Sequence, residues 1–302
     1  MNSLPRVSVV VRTKDRPRFL RRALDSILAQ SFVDWEAIIV NDGGDQVSLD
    51  QMIAALPEAQ RPRIRVISNP VSLGRWRSAN AGVRAAHGEF LVLHDDDDTW
   101  HPDFLRQAVA YLDAHPTRDG VVARTEILWE RRGEDEAFHV DAREVFQPRI
   151  HDLLLSDALL FNRFVPIGFV YRRSLHDVIG LYSDDLPVIG DWAFNLQVLT
   201  RGPIHFLGSE PLAYWHQRIQ ETGTDGNSVI ESRSSHARYD ALIRDAELRR
   251  YVNENGLGLV LYLTKFIDQR FVDVENGIRN EIVASSLWRR LSRRVRRLRR
   301  SR

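Results

Sequence analysis

Four short runs rich in β-branched residues punctuate the first hundred positions, and this spacing constrains the chain more than any other feature. They are Val7–Arg12, Trp35–Val40, Ile64–Ile67 and Phe90–Leu93. Three end directly in polar clusters: Thr13-Lys14-Asp15, Asn41-Asp42-Gly43-Gly44, and His94 followed by four aspartates. Between them lie helical patterns. Phe19, Leu20, Ala23, Leu24, Ile27 and Leu28 share one helix face, and Ser78–Ala86 reads as a further helix ending before Gly88. Apolar strands separated by helices imply an α/β fold around a mostly parallel sheet with right-handed crossovers. In such sheets ligands bind at the carboxyl ends of the strands, where the polar clusters sit here.

Beyond Asp98 the rhythm changes. Pro102–Ala114 reads as helix, Val121–Glu130 as strand and Arg131–Ala137 as a charged loop. Gly168–Arg172 and Ile204–Leu207 read as strands, Trp192–Thr200 as helix, and from about Ser228 the pattern is helical throughout. The chain has 302 residues, 43% hydrophobic and 27% charged, which is enough to bury a substantial core. It has no cysteine, which excludes a disulfide scaffold, a zinc ribbon, an iron–sulfur site and a cysteine nucleophile. The apolar run before Arg12 is too short for a signal peptide, and no stretch reaches the roughly 18 apolar residues of a membrane span. The expectation is a cytoplasmic protein.

Asp95, Asp96, Asp97 and Asp98 carry the strongest chemical signal. Four adjacent like charges at a strand end are unfavourable unless a cation or hydrogen-bond donors offset them. Oxygen ligands with an open face suit Mg²⁺ or Mn²⁺ shared with a phosphate, and the competing reading is a solvated loop or a helix cap. Asp42 also sits at a strand end. Its carboxylate can accept from a nucleobase N–H or a ribose hydroxyl, although a simple turn after a strand looks the same.

These segments carry a resemblance. VSVVVRTKDRPRFLRRALDSILAQSFVDWEAIIVNDGGD and LGRWRSANAGVRAAHGEFLVLHDDDDTWHPDFL resemble the donor-binding half of a family-2 glycosyltransferase. IGFVYRRSLHDVIGLYSDDLPVIGDWAFNLQVLTRG resembles the acceptor half, and together the blocks cover most of residues 5–218. The resemblance implies a GT-A (Rossmann-like) fold and inverting transfer of a sugar from a nucleoside-diphosphate donor, UDP- or dTDP-linked by preference. It maps nucleotide-sugar binding onto Thr13, Asp15, Asp42, Asn80 and Asp96, and metal binding onto Asp97 and Asp98. The general base maps onto Asp191, which without the resemblance reads rather as a helix N-cap. Two departures stand out. Gly190 replaces the Glu that often precedes that base, and Ser78-Ala79-Asn80 stands where Ala-Arg-Asn is common, so a phosphate-pairing arginine must come from elsewhere. Arg75 and Arg77, flanking Trp76, are candidates for that role. His216 either completes the metal shell, contacts the diphosphate, or is simply hydrogen-bonded.

The domain reading is a glycosyltransferase domain over residues 1–218, with a nucleotide-sugar half at 1–98 and an acceptor half at 99–218. A helical region at 219–302 follows. Its last stretch, 287–302, holds nine Arg and no acid, and leaves 33 basic against 41 acidic residues elsewhere. Leu287, Leu291, Val295 and Leu298 form one stripe of a basic amphipathic helix. Such a helix suits an anionic membrane surface. Nucleic acid attracts the same charge but is not expected without a nucleic-acid fold elsewhere, and an acidic partner helix is a third reading. The sequence therefore points to a metal-dependent glycosyltransferase, peripheral on the inner face of the cell membrane, acting on a saccharide or lipid-linked saccharide in cell-surface polysaccharide synthesis. Two rivals are a non-catalytic scaffold of the same fold and a sugar-phosphate nucleotidyltransferase. The second would carry a Gly-rich loop after the first strand, where this chain has RTKDRPR.

Overall fold

The computed structural model describes residues 4–218, 221, 223–226 and 233–299, with the side chains of 224, 233 and 284–299 outside that description. The chain divides into two units, Met1–Asp240 and Ala241–Arg302.

The first unit opens with β1 (Val7–Thr13), α1 (Pro17–Leu28), β2 (Trp35–Asp42), α2 (Gln46–Ala54), β3 (Ile64–Asn69), α3 (Arg75–Ala85) and β4 (Phe90–Asp95). All seven residues of β1 and all eight of β2 are buried, as β-branched strands covered on both faces require. Pro17 starts α1, where its fixed φ suits the first turn and its missing N–H costs nothing. Next come β5 (Thr99–Trp100), α4 (Phe104–Ala114), β6 (Gly120–Ala123), β7 (Thr125–Arg132), β8 (Phe138–Val145), β9 (Asp152–Leu153) and α5 (Leu155–Ala158). β10 (Phe169–Arg172), α6 (Leu175–Ile179), α7 (Gly190–Arg201), β11 (Ile204–Leu207) and β12 (Ala213–Gln217) follow, before α8 (Arg233–Asn255) and α9 (Gly258–Arg299).

The large sheet runs β3-β2-β1-β4-β10-β6-β11-β9. Its first four strands are parallel, β10 is antiparallel to both neighbours, and β9 closes the far edge antiparallel to β11. Alternate side chains feed two cores. Val9 and Val11 pack with Leu20, Leu24, Phe104 and Leu105 on one face, while Val10 packs with Ala79, Val83 and Val198 on the other. A second sheet, β5-β12-β7-β8, stands at the carboxyl end of β4.

The expected strand Val121–Glu130 is in fact two strands in different sheets, broken at Arg124. That side chain is buried. It donates to the carbonyls of Gln147 and Ile150, each at 2.8 Å, and lies over the Phe206 ring. A guanidinium on this scale cannot lie between two covered sheet faces, so the chain turns from one sheet to the other there. The expected loop Arg131–Ala137 is shorter than read, because β7 runs on to Arg132 and pairs with β8 as a hairpin. Helix α3 starts at Arg75, three residues before the expected Ser78.

In the second unit the long helix α9 exposes Leu259, Phe266, Phe271 and Ile278. Among the described residues no helix is long and apolar enough to cross a membrane. The stripe expected at 287–298 has helical backbone, but its side chains lie outside the description.

Gly82 packs α3 against β1: a Cβ there would stand 2.3 Å from Val10 Cγ1 and 3.3 Å from Val10 Cβ, so side-chain rotation cannot relieve the clash. Gly82→Ala is expected to destabilise the protein by about 1–3 kcal/mol, read as a lower urea midpoint with unchanged slope.

Candidate active site

The carboxyl ends of β1, β2 and β4, the N-termini of α3 and α7, and the end of β12 converge on a cavity of about 830 Å³. Thr13, Asp15, Asp42, Asp96, Asp97, Asp98 and Asp191 line it. Asn80 and His216 lie outside its described lining.

The acidic turn after β4 is held by guanidinium groups. Arg16, in the loop after β1, donates from Nη1 to Asp96 Oδ1 at 2.8 Å and from Nη2 to Asp97 Oδ2 at 2.9 Å. Arg218 forms an ion pair with the same Asp97 oxygen, and Arg12 pairs with Asp95. Thr13 Oγ1 donates to Asp96 Oδ2 at 2.8 Å, and the His216 backbone N–H donates to Asp98 Oδ1 at 2.9 Å. Burial tends to raise all three inner carboxyls. For Asp97 the charges and hydrogen bonds of Arg16 and Arg218 win, and its pKa falls. For Asp96 and Asp98 burial wins, helped by the charge of Asp97, and both are pushed up.

A salt-bridged layer lies behind this turn. Glu130 on β7 is opposed first by burial, but its bond from His216 and the charge of Arg22 bring its pKa down to about 2. The His216 ring meets Glu130 Oε1 at 2.7 Å through Nδ1 and Thr99 Oγ1 at 2.8 Å through Nε2. Arg218, with no exposed side-chain surface, bridges Glu130 and Asp97.

The remaining expected residues are placed as follows. Asp42 accepts five hydrogen bonds: from Asn69 Nδ2, the Leu73 N–H and Ser78 Oγ on Oδ1, and from Ser72 Oγ and the Gly74 N–H on Oδ2, all at 2.8–3.0 Å. Burial opposes its charge, yet these donors hold its pKa down to about 2. Its carboxylate thus shapes the Asn69–Ser78 loop that walls the cavity. Asp15 has φ +52° and accepts from the Asp45 N–H at 2.8 Å, tying the loop after β1 to that after β2. Asn80 is 2% exposed and holds Tyr182 and Asp184. Asp191, at the start of α7, accepts from Asn162 Nδ2 at 2.9 Å. Burial raises its pKa, partly offset by the charge of Arg75.

The donor set suits a divalent cation in kind, since Asp96 and Asp98 offer hard oxygen atoms whose burial the described cations do not fully balance. Among the described residues, however, no three His, Asp or Glu side chains converge on one point. The expected set of Asp97, Asp98 and His216 is therefore not assembled as such: Arg16 and Arg218 lie on Asp97, and the His216 ring serves Glu130 and Thr99. Asp98, with one oxygen on the His216 N–H, and Asp96, in place of its present partner Arg16, would hold the ion, with water completing its shell. Sequence reasoning missed Arg16, Arg218, Glu130 and Asn162. The signal for the first two was the demand of four carboxylates for counter-charge, which the local motif left unassigned.

Comparison with known proteins fits this architecture. The family profile described as Glycosyl transferase family 2 matches residues 8–180. The uncharacterised glycosyltransferase YwdF of Bacillus subtilis is 32% identical over 192 residues, 64% of this chain and 67% of its own length. The succinoglycan biosynthesis protein ExoO of Rhizobium meliloti is 33% identical over 114 residues, 38% of this chain and 32% of ExoO. Staphylococcus aureus TarS 1–349, solved in complex with UDP, superposes with a TM-score of 0.53 at 19% identity, covering 70% of this chain and 60% of that fragment. The mannosyltransferase PcManGT of Pyrobaculum calidifontis, solved with GDP-Man and Mn²⁺, also has a TM-score of 0.53, at 17% identity, covering 89% of this chain and 81% of PcManGT. The fold is that of the GT-A enzymes. This chain belongs to glycosyl transferase family 2, and so to the glycosyltransferase class of enzymes.

Asp42→Asn would leave the Leu73 or Gly74 N–H facing an amide nitrogen and is expected to cost about 1–3 kcal/mol at pH 7. The folded pKa is depressed, so the stabilisation is present above the ordinary carboxylate range and lost as pH falls through about 2. The stability gap between wild type and variant, measured by urea denaturation, should narrow steadily from about pH 4 downward.

Proposed function

We propose that the chain transfers a sugar, with inversion, from a nucleoside-diphosphate donor to a hydroxyl of a saccharide acceptor, with Asp191 as general base. The carrying observation is one cavity with the acidic turn Asp95–Asp98 and the buried carboxyl of Asp191 both in its wall. A donor laid against the carboxyl ends of β1, β2 and β4 meets Thr13, Asp15, the loop held by Asp42, and Asp96. Residues 1–98 then form the donor half and 99–218 the acceptor half. Asn80 supports this site by fixing Tyr182 and Asp184.

Asp191 takes the proton of the acceptor hydroxyl as its oxygen attacks the anomeric carbon from the face opposite the departing diphosphate. Burial makes this carboxylate more basic than one in water, and Asn162 orients it from 2.9 Å. Arg16 and Arg218 keep Asp97 ionised and fix the turn that faces the diphosphate. Mn²⁺ or Mg²⁺ held by Asp96 and Asp98 would supply positive charge to the leaving diphosphate oxygens. UDP or dTDP is the favoured carrier. TarS, solved with UDP, and PcManGT, solved with GDP-Man and Mn²⁺, support a nucleotide donor, and ExoO, named for succinoglycan biosynthesis, supports a polysaccharide acceptor. A lipid-linked acceptor at an anionic cytoplasmic membrane face rests on the arginine content of 287–302.

Calorimetry with UDP, dTDP and GDP, each with Mn²⁺ and again with EDTA, tests the donor site. Binding of at least one nucleotide, weakened by EDTA and by Asp98→Asn, is expected; a folded protein that binds none of the three sinks the reading. Asp191→Asn should keep nucleotide affinity within twofold and lower kcat by about 10²–10⁴. In wild type the acid limb of kcat/KM should lie above the ordinary carboxylate range, because a base with a raised pKa loses its free form at higher pH.

A further inference from the structure

One wall of the cavity holds more hydrogen-bond donors than the described residues satisfy. The Arg12 side chain is 7% exposed and spends Nη2 on Asp95. Its Nε and Nη1 are buried and have no hydrogen-bond partner among the described residues. The guanidinium lies 5.1 Å from the centroid of the Trp76 ring, and Trp76 Nε1 is likewise buried without a partner. Arg75, the first residue of α3, lines the same cavity and makes no hydrogen bond or ion pair among the described residues. Asp191, in the wall of the same cavity, takes its bond from Asn162.

The position of the indole explains an otherwise odd glycine. A Cβ on Gly190 would stand 2.6 Å from Trp76 Cε2 and 2.7 Å from Nε1, so the ring occupies the space beside Asp191 that a side chain at 190 would fill. Burial and the neighbouring charge of Arg12 disfavour the protonated form of Arg75 more than the charges of Asp95, Asp191 and Asp97 restore it.

We propose that Arg12, Arg75 and Trp76 Nε1 form an oxyanion subsite beside the general base, taking a carboxylate or phosphoryl group of the substrate. Two guanidinium forks and an indole N–H match the several lone pairs of such a group, which a neutral hydroxyl cannot fill. This rests on the donor reading above, and the group has two sources: an acid substituent on the transferred sugar, or the donor diphosphate.

The test is calorimetry on the full chain with inorganic pyrophosphate, UDP, UDP-glucose and UDP-glucuronate, comparing wild type, Arg75→Met and Trp76→Phe. Arg75→Met is expected to weaken at least one probe fivefold or more, and Trp76→Phe, which keeps the ring, to weaken that same probe less. A loss confined to UDP-glucuronate assigns the subsite to a sugar acid; an equal loss across all four assigns it to the diphosphate. If wild type binds pyrophosphate but no nucleotide, and Arg75→Met still loses fivefold, the donor reading fails while the subsite stands. Losses below fivefold for every probe in folded Arg75→Met, or a wild type that binds none of the four, overturn the subsite.

Discussion

Four carboxylates in consecutive positions at the end of β4 cannot leave water unless the chain brings positive charge to them from elsewhere. Arg12 and Arg16 reach them from the end of β1 and the loop after it, Arg22 from α1 through the Asp97 carbonyl, and Arg218 from the end of β12. Three come from the β1–α1 segment and the fourth from the residue after β12, so distant parts of the chain must meet at the turn. Removing one partner of such a buried pair leaves a naked charge at a cost of about 3–5 kcal/mol. The fold of the first unit and the geometry of its cavity are therefore the same problem. The second sheet stands where it does because Glu130 on β7 and His216 on β12 continue that network outward.

The division of labour among the acids follows from which partners they meet. Asp42 and Glu130 are saturated by donors and act as framework. Asp96, Asp98 and Asp191 are buried with less compensation, and burial pushes all three up. Environment alone separates the two groups, since the side chains are chemically almost identical.

Much of the first hundred residues was legible because β1, β2 and β4 are covered on both faces, which forces apolar runs that end where the cover ends. The same rule failed at Val121–Glu130. An apolar run there hid a change of sheet, and the signal was Arg124, whose three-carbonyl nest is made by residues 23 to 84 positions away. Asp191 was reached only through the family resemblance, whereas the acidic turn could be placed at a strand end from local pattern. Arg16 and Arg218 could not, because a salt bridge across 81 or 121 positions leaves no periodicity to read. Asn80 and His216 show the converse: polar residues next to a site, with their bonds made to Tyr182, Glu130 and Thr99 behind it.

Among the described residues, the side chains that form ion pairs with the acidic turn are arginines. A guanidinium does not give up its proton in any solution a protein survives. Had lysines held this turn, alkaline conditions would gradually discharge one side of each pair and the carboxylates would drift apart. Here the positive half of the lattice is fixed, and the turn keeps its shape on the alkaline side of neutrality as a matter of composition.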